Sequence, residues 1–574
     1  MTGDGSEDLK KNGLKRRKIL LALLPYWTPL IPPQGIASIK VFLEKYGYRV
    51  KTLDANVENQ FKEIYQKYFN ALKEYIPENH RGNFYNIGHD VLRNHLMAYF
   101  NRKGEQEYNE LVKHLVFNTY FWTLDEQQIV HLNRLVELFY VHLEQYILEH
   151  LETEQPDVLG LATHLGTLGA SMFSFKLAKE RYPDILTVAG GTIFAGELPV
   201  TSPDFHLFLE KTKSYLDKVI VGEGNRPLLK LLEGELPESQ RVYTLKDIGG
   251  EPMDVSTLDL PDVSDFELSH YPYMAAGTSF SCPHRCRFCN VTAFFGKYRK
   301  KSVKQVIEEL KELYRRHGYQ LYFMTDALLN PVITELADGL IKEDISIYMD
   351  SYLRVSDEVC DTEKTLLWRR GGLYRTRMGI ETGSQRLLDL MKKGITVEQS
   401  RAALASLAYA GIKTTAYFVI GFPGETEADF QKTLDLLEET RNDIWEAESN
   451  PFYYYYTGQP QADKWADKRM LLYPGYAGDL LISQTWILDC EPSREERFRR
   501  LFRFTEHCKK LGIPNPYSSK EIHEADKRWK TLHENAVPAL IEFDNNKDHI
   551  NENKYVKKLI LAQDIQQDDQ DFMF

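Results

Sequence analysis

Cysteine is scarce, with six in 574 residues, so no disulfide framework holds this chain. Long apolar runs are also missing. The longest near the start, Ile19 to Leu24, is far short of the roughly 20 residues of a membrane span. Basic residues precede it, but Pro25 and Pro32-Pro33 follow in place of a small-residue cleavage site, against a signal peptide. Positive charge is not in excess: 71 basic against 83 acidic side chains leave −12, which disfavours a partner gripped by its phosphates. A soluble, cytoplasmic protein with neither nucleic acid nor membrane as partner is expected. Aromatic residues are plentiful (34 Tyr, 29 Phe, 7 Trp), which excludes global disorder, and 66.8 kDa calls for several domains.

The pattern along the chain is α/β. Residues 1–17 read as a disordered lead. Lys18 to Leu24 has strand length and composition, a Pro-rich loop and a helical pattern to Gly47 follow, and Arg49 to Asp54 is a second strand. Strands at Val158 to Ala162, Leu186 to Ala189 and Lys218 to Val221 complete a doubly wound, Rossmann-like parallel sheet over 18–235, with ligands expected beyond the carboxyl ends of its strands. A helical insertion over 57–152 interrupts it; its helices either pack or cap a ligand and shape a substrate entrance. Residues 236–272 read as a linker. From 273 to 455 six further strands, at Gly277–Ser281, Gln320–Thr325, Ile345–Asp350, Tyr374–Ile380, Thr414–Ile420 and Asn450–Tyr455, alternate with helices as in a partial (β/α)6 barrel. Residues 456–574 form a mostly helical carboxyl-terminal region whose acidic end, from Asp564, reads as disordered.

Three of the six cysteines crowd into Cys282-Pro-His-Arg-Cys286-Arg-Phe-Cys289. Three thiolates on one loop can ligate three corners of a cubane cluster and leave the fourth iron open for chemistry. A closed zinc site needs four ligands, and only His284 within the loop could join the three. Cys360, Cys490 and Cys508 stand alone and read as small buried hydrophobes.

The C-x3-C-x2-C loop with an aromatic before its last cysteine resembles the radical S-adenosylmethionine (SAM) superfamily, and the resemblance runs over about 273–455. Lys297 to Ser302, Phe323-Met-Thr-Asp326, Gly379-Ile-Glu-Thr-Gly383, Lys393-Gly394 and Val419-Ile-Gly-Phe-Pro-Gly-Glu-Thr426 resemble its later elements in order. The resemblance implies that Cys282, Cys286 and Cys289 hold a [4Fe-4S] cluster whose open iron chelates SAM. It further implies that Phe288 packs near adenine, that Thr325 and Asp326 meet the ammonium, and that Ser351, Arg354 and Glu381 contact ribose or carboxylate. Gly421 would let the backbone approach the nucleoside, and Pro423 would stiffen that turn.

The amino-terminal region resembles the cobalamin-binding domain found ahead of some radical SAM enzymes. The residues that carry this are Pro32-Pro-Gln-Gly35-Ile36, Pro156 to Gly160, Thr163-His164-Leu165, Ala189-Gly190-Gly191 and Val221-Gly222-Glu223-Gly224. Gly35, Thr163, His164, Leu165, Gly190, Gly191, Gly222 and Glu223 would line the cofactor. The D-x-H-x-x-G element that supplies a cobalt-ligating His elsewhere is absent, since Asp54-Ala-Asn-Val57 has no His. His164 is the nearest alternative ligand; a structural role is the simpler account of it.

Together the resemblances imply a cobalamin-dependent methyltransferase. One SAM would give a methyl group to cobalamin, and a second would be cleaved to a 5′-deoxyadenosyl radical, with electrons from a flavodoxin or ferredoxin. The target would be an unactivated carbon, or a phosphinate phosphorus, of a small natural product or a peptide. A non-methylating cyclisation or rearrangement is the first rival. A tRNA methylthiotransferase would need a second set of cysteines before Cys282, which is absent. A cobalamin-sensing module would leave the cysteine loop unexplained. The run Phe452 to Tyr456 reads most simply as core, or as a cavity lining on alternate positions.

Overall fold

Five consecutive apolar residues in Lys18–Leu23 (β1) can be buried on both faces only at the centre of a sheet covered by helices. The computed structural model, which describes residues 17–536 apart from 457, 484, 517, 518 and 534, has that arrangement. β1 pairs in parallel with β2 (Arg49–Asp54) on one side and β3 (Val158–Ala162) on the other. β4 (Leu186–Gly190), β5 (Lys218–Val221) and β6 (Val242–Thr244) continue the sheet in the order β2-β1-β3-β4-β5-β6. The expected five strands are all present, and β6 comes from the stretch read as linker. Its three residues are too few to show a period, and burial of Tyr243 beneath the Lys218 ammonium marks the strand only in three dimensions. All but Arg17 of the expected disordered lead, and the acidic tail, lie outside the described residues.

The helix after β1, α1 (Gln34–Glu44), covers one face. The insertion comprises α2 (Asn59–Tyr75), α3 (Glu78–Arg81), α4 (Phe84–Asn101), α5 (Glu105–Tyr120) and α6 (Glu126–Glu154), and α7 (Leu168–Arg181) returns to the sheet. A capping box between Asp125 and Gln128 starts α6, whose buried Ile129, Leu132, Val136, Phe139 and Leu143 follow the three-four spacing. At the insertion's centre His95 is fully buried, bonded to Tyr68, Tyr108 and Asn133 at 2.8, 2.7 and 3.0 Å.

The second sheet runs β14-β13-β12-β11-β10-β7, all parallel and in chain order, which is an open six-stranded barrel. Its strands are β7 (Met274–Ala276), β10 (Leu321–Met324), β11 (Tyr348–Leu353), β12 (Leu373–Glu381), β13 (Lys413–Ile420) and β14 (Glu446–Pro451); β8 (Ser279–Phe280) and β9 (Arg299–Lys300) form a separate antiparallel pair. Three expected positions shift. The first barrel strand lies before Gly277, the third runs three residues later, and the sixth precedes the tyrosine run. The sixth was masked by its charges: Glu446 meets Arg375 at 2.8 Å inside the barrel, and Asp350 of β11 likewise meets Arg377 at 2.9 Å. A polar barrel interior thus removes the apolar signal that strand reading relies on.

The edge strand β14 is covered by α4, where Asn83 donates to the Ser449 carbonyl at 2.7 Å and Asn86 to Glu448 at 3.1 Å. The insertion therefore docks on the barrel as well as on its own sheet. Beyond β14 the described chain forms loops, a short hairpin and the helices Arg494–Leu511 and Ser519–Leu532. Among the described residues no helix is long and apolar enough to cross a membrane.

Candidate functional site

The β8–β9 pair closes the base of the cysteine loop. Ser281 enters the loop with a left-handed backbone (φ +72°), held by its hydroxyl on the Gly296 carbonyl at 2.6 Å. Cys289 donates its amide to the Cys286 carbonyl, and Arg287 clamps the loop to the carbonyls of Met391 and Leu390 at 2.9 and 2.7 Å. Burial raises the Cys282 and Cys289 thiols above their usual range, so loading metal here expels protons. Arg354 points a guanidinium nitrogen at the Cys286 sulfur from 3.3 Å. Among the described residues no three His, Cys, Asp or Glu side chains converge on a single-ion position. Three thiols on one clamped loop beside two cations, Arg354 and Lys393, suit an anionic thiolate cluster.

The other expected SAM contacts fall into two sets. Thr325 is exposed at the end of β10, and Ser351 is buried with a hydroxyl that has no partner, so both have capacity to spare. Phe288 packs with Leu387, Met391 and Phe422 beneath the loop. Asp326, by contrast, is 1% exposed and accepts from Thr278 and Ser279 at 2.6–3.1 Å, which fastens the end of β10 to the start of β8. The partners of that carboxylate here are scaffold groups. Glu381 is likewise paired, with Lys393. Gly421 has φ +77°, and a Cβ there would meet the Arg497 stem at 2.2 Å, so its lack of a side chain permits a close approach of the helix Arg494–Leu511. Pro423 sits in the turn closed by the Glu425 amide on the Phe422 carbonyl. The sequence marked Lys393 only as part of Lys393-Gly394 and missed Arg497 and Gln459, whose amide holds the Phe288 carbonyl at 2.9 Å; no local pattern marks these two.

In the first sheet the strand order reverses between β1 and β3, so the crevice lies beyond their carboxyl ends. There the His164 ring packs on Trp27, centroids 4.6 Å apart, with Nδ1 on the Thr192 hydroxyl at 2.8 Å. Burial lowers its pKa to about 4, so the ring is neutral. Gly35 and Gly222 have open space where a side chain would be, which leaves room for a large ligand. Thr163, Gly190 and Gly191 instead form the floor: the Thr163 amide bonds the Gly190 carbonyl, and a Cβ on Gly191 would lie 2.3 Å from the Thr163 carbonyl. Leu165 is half-buried at the start of the turn that leads into α7. Glu223 is spoken for, since it accepts from Arg299 at 2.5 Å and from the Met253 amide at 2.9 Å. Arg299 belongs to β9, so this pair joins the ligand end of the first sheet to the base of the cysteine loop.

Residues 278–437 match the Radical SAM superfamily, and the doubly wound sheet lies ahead of this stretch. In sequence it is 26% identical over 329 residues to the anaerobic magnesium-protoporphyrin IX monomethyl ester cyclase of Rubrivivax gelatinosus, which covers 52% of this chain and 57% of that protein. The chain thus spans about half the length of the curated relatives it matches. In fold it resembles the radical SAM methyltransferase TsrM from Kitasatospora setae, solved with cobalamin and a [4Fe-4S] cluster bound (TM-score 0.55, 13% identity, 90% of this chain and 99% of that one). It also resembles the cobalamin-dependent SAM radical enzyme OxsB (TM-score 0.56, 16% identity, 96% and 75%).

Proposed function

We propose that this protein is a cobalamin-dependent radical SAM methyltransferase acting on a small molecule or a peptide. The observation that carries the proposal is the Glu223–Arg299 pair, which joins the ligand end of the first sheet to β9 at the base of the cysteine loop. Cys282, Cys286 and Cys289 would hold the cluster; Thr325, Ser351 and Arg354 would orient SAM. Trp27, His164, Gly35 and Gly222 would border the corrin. When bound, these groups would supply a methyl donor and a 5′-deoxyadenosyl radical, with electrons from a flavodoxin or ferredoxin. The chain's own part is orientation and exclusion of water: α4 closes the barrel edge, and Arg354 places positive charge beside the thiolates.

A second reading, radical cyclisation or rearrangement without methyl transfer, is favoured by the likeness to a cyclase in sequence. The test uses anaerobically reconstituted protein with hydroxocobalamin, SAM and a strong reductant, followed by mass spectrometry. Formation of methylcobalamin and S-adenosylhomocysteine in equal amounts supports methyl transfer. Retained cobalamin with only 5′-deoxyadenosine supports the second reading, and failure to retain cobalamin refutes both.

A further inference from the structure

Alternate residues of a barrel strand face its interior, and midway along this barrel those positions are charged. Arg375 and Arg377 come from β12, Asp350 from β11, and Glu446 and Glu448 from β14. Four of the five form two pairs. Arg375 holds Glu446 at 2.8 Å, and the Thr415 hydroxyl donates to the same carboxylate at 2.7 Å. Arg377 sets Nε and Nη2 on Asp350 at 2.9–3.3 Å. Further pairs lie on either side: Glu381 with Lys393 towards the cysteine loop, and Lys413 with Asp526 at the amino end of β13. Glu448 alone of these carboxylates has no ion pair among the described residues. Its Oε1 accepts from Asn86 at 3.1 Å and from Asn450 at 3.4 Å, and its Oε2 is left open.

Two aromatic rings share this level. Tyr417 of β13 is the register partner of Glu448, and its ring stacks with that of Tyr352 from β11, centroids 6.4 Å apart and 20° from parallel. Between them β12 has Gly379 in register with Tyr417, so no side chain from that position separates the rings. Neither hydroxyl has a hydrogen-bond partner among the described residues, and both rings, like Glu448, are only half-buried. Two residues beyond Tyr417, Val419 packs in the cluster that contains Phe288 of the cysteine loop. Glu448 itself lies three residues, about 10 Å, short of the Pro451 end of its strand. The level is thus inside the barrel and beneath the cysteine loop.

A carboxylate without a cation is costly to keep charged away from water. Burial and the neighbouring Glu446 raise the Glu448 carboxyl to about 7; Arg377 opposes this, but its fork is already taken by Asp350. A ligand that brings its own positive charge removes the cost. Its N–H groups would find the open Oε2 and the phenol oxygens as acceptors, and the ring pair adds cation–π attraction. A ligand carboxylate would meet Glu448 in place of a free guanidinium.

We infer that Glu448, with Tyr352 and Tyr417, determines specificity in the barrel interior, and that it selects a substrate carrying a protonated amine. The assignment rests on the reading of the barrel as the radical SAM core, and it deepens that reading by naming the substrate class.

The test is calorimetric titration of the full chain, reconstituted with cluster, hydroxocobalamin and saturating SAM, with n-butylammonium, n-butanol and butyrate. Titrations are run at pH 7 in two buffers of different ionisation enthalpy, and iron and SAM are quantified in the same samples. The ammonium should bind about tenfold more tightly than the alcohol or the carboxylate. It should also release about half a proton per site, because about half of the Glu448 carboxyls are protonated at that pH. Glu448→Gln should weaken the ammonium about tenfold and abolish the proton release; the isosteric Tyr417→Phe should weaken it about threefold. With iron and SAM held, no preference for the ammonium, or equal affinity and proton release in wild type and Glu448→Gln, overturns the inference. Should Glu448→Gln fail to fold, unchanged ammonium affinity in Tyr417→Phe overturns it. If iron and SAM are not held but the ammonium binds and is lost in Glu448→Gln, the cation seat stands and the proposed reaction falls.

Discussion

The Lys393 ammonium bonds the Glu381 carboxylate at 2.5 Å and lies 5.7 Å from the centroid of the Phe288 ring, so one buried ion pair ties the end of β12 to the cysteine loop. Both partners are under 10% exposed. Glu381 takes a left-handed backbone (φ +67°) at a register shift between β12 and β13, and this turns its carboxylate towards Lys393. Gly379 has to lack a side chain here, because a Cβ would lie 2.2 Å from Glu381 Oε1 and 2.7 Å from Lys393 Nζ.

Removing one partner strands the other charge in the interior. Lys393→Met or Glu381→Gln should each cost about 3–5 kcal/mol of stability, and the double variant less than the sum. Urea unfolding of the four proteins measures this; additive losses would show that the two residues act independently.

The three loop cysteines should behave differently from the solitary ones. Cys282→Ala, Cys286→Ala and Cys289→Ala should each drop bound iron from about four per chain to about one or less. Cys360→Ala and Cys508→Ala, whose parents are packed away from the loop, should retain it. Iron and sulfide analysis after anaerobic reconstitution decides the matter, and equal loss in all five would remove the cluster from this loop.

Gly421→Ala should destabilise the carboxyl-terminal helix and leave SAM affinity nearly unchanged. The new methyl would drive into Arg497, and the positive φ adds strain, together about 2 kcal/mol or more. Denaturation midpoint and SAM binding by calorimetry separate the two effects. Lost SAM affinity with unchanged stability would restore the nucleoside role expected of this glycine.

Acid should weaken the helical insertion through His95, whose pKa burial lowers to about 3. Between pH about 6.5 and about 3 the unfolded chain binds a proton there that the native state refuses, so stability falls as pH falls. The slope from this one residue is about 1.4 kcal/mol per pH unit. His95→Gln, which cannot titrate, should flatten the wild-type dependence by that amount in urea midpoints measured from pH 7 to pH 5. Parallel curves would mean that His95 takes up its proton equally in the native and unfolded states.

Strands β1 to β5 and the cysteine loop were legible because their signals are local. A strand buried on both faces must be apolar, and three thiols for one cluster must be close in sequence when one loop carries them. The last barrel strand was not legible, since Glu446 and Glu448 face a polar interior whose balancing charges, Arg375 and Arg377, come from β12. Several site residues diverged for the same reason. Asp326, Glu381 and Glu223 have the right types in the expected positions, yet each carboxylate is neutralised or bonded by residues 12 to 76 positions away.

The amino-acid sequence by itself determined the α/β plan, the three-cysteine loop and the helical character of the insertion, because each depends on spacing within a short window. Only the tertiary structure decided which polar groups face a ligand and which hold the scaffold. It also decided that Asn83 and Asn86 of the insertion dock on β14 and that Glu223 meets Arg299. Those outcomes depend on how far-separated segments pack, since the energy of a buried charge is set by its neighbours in space.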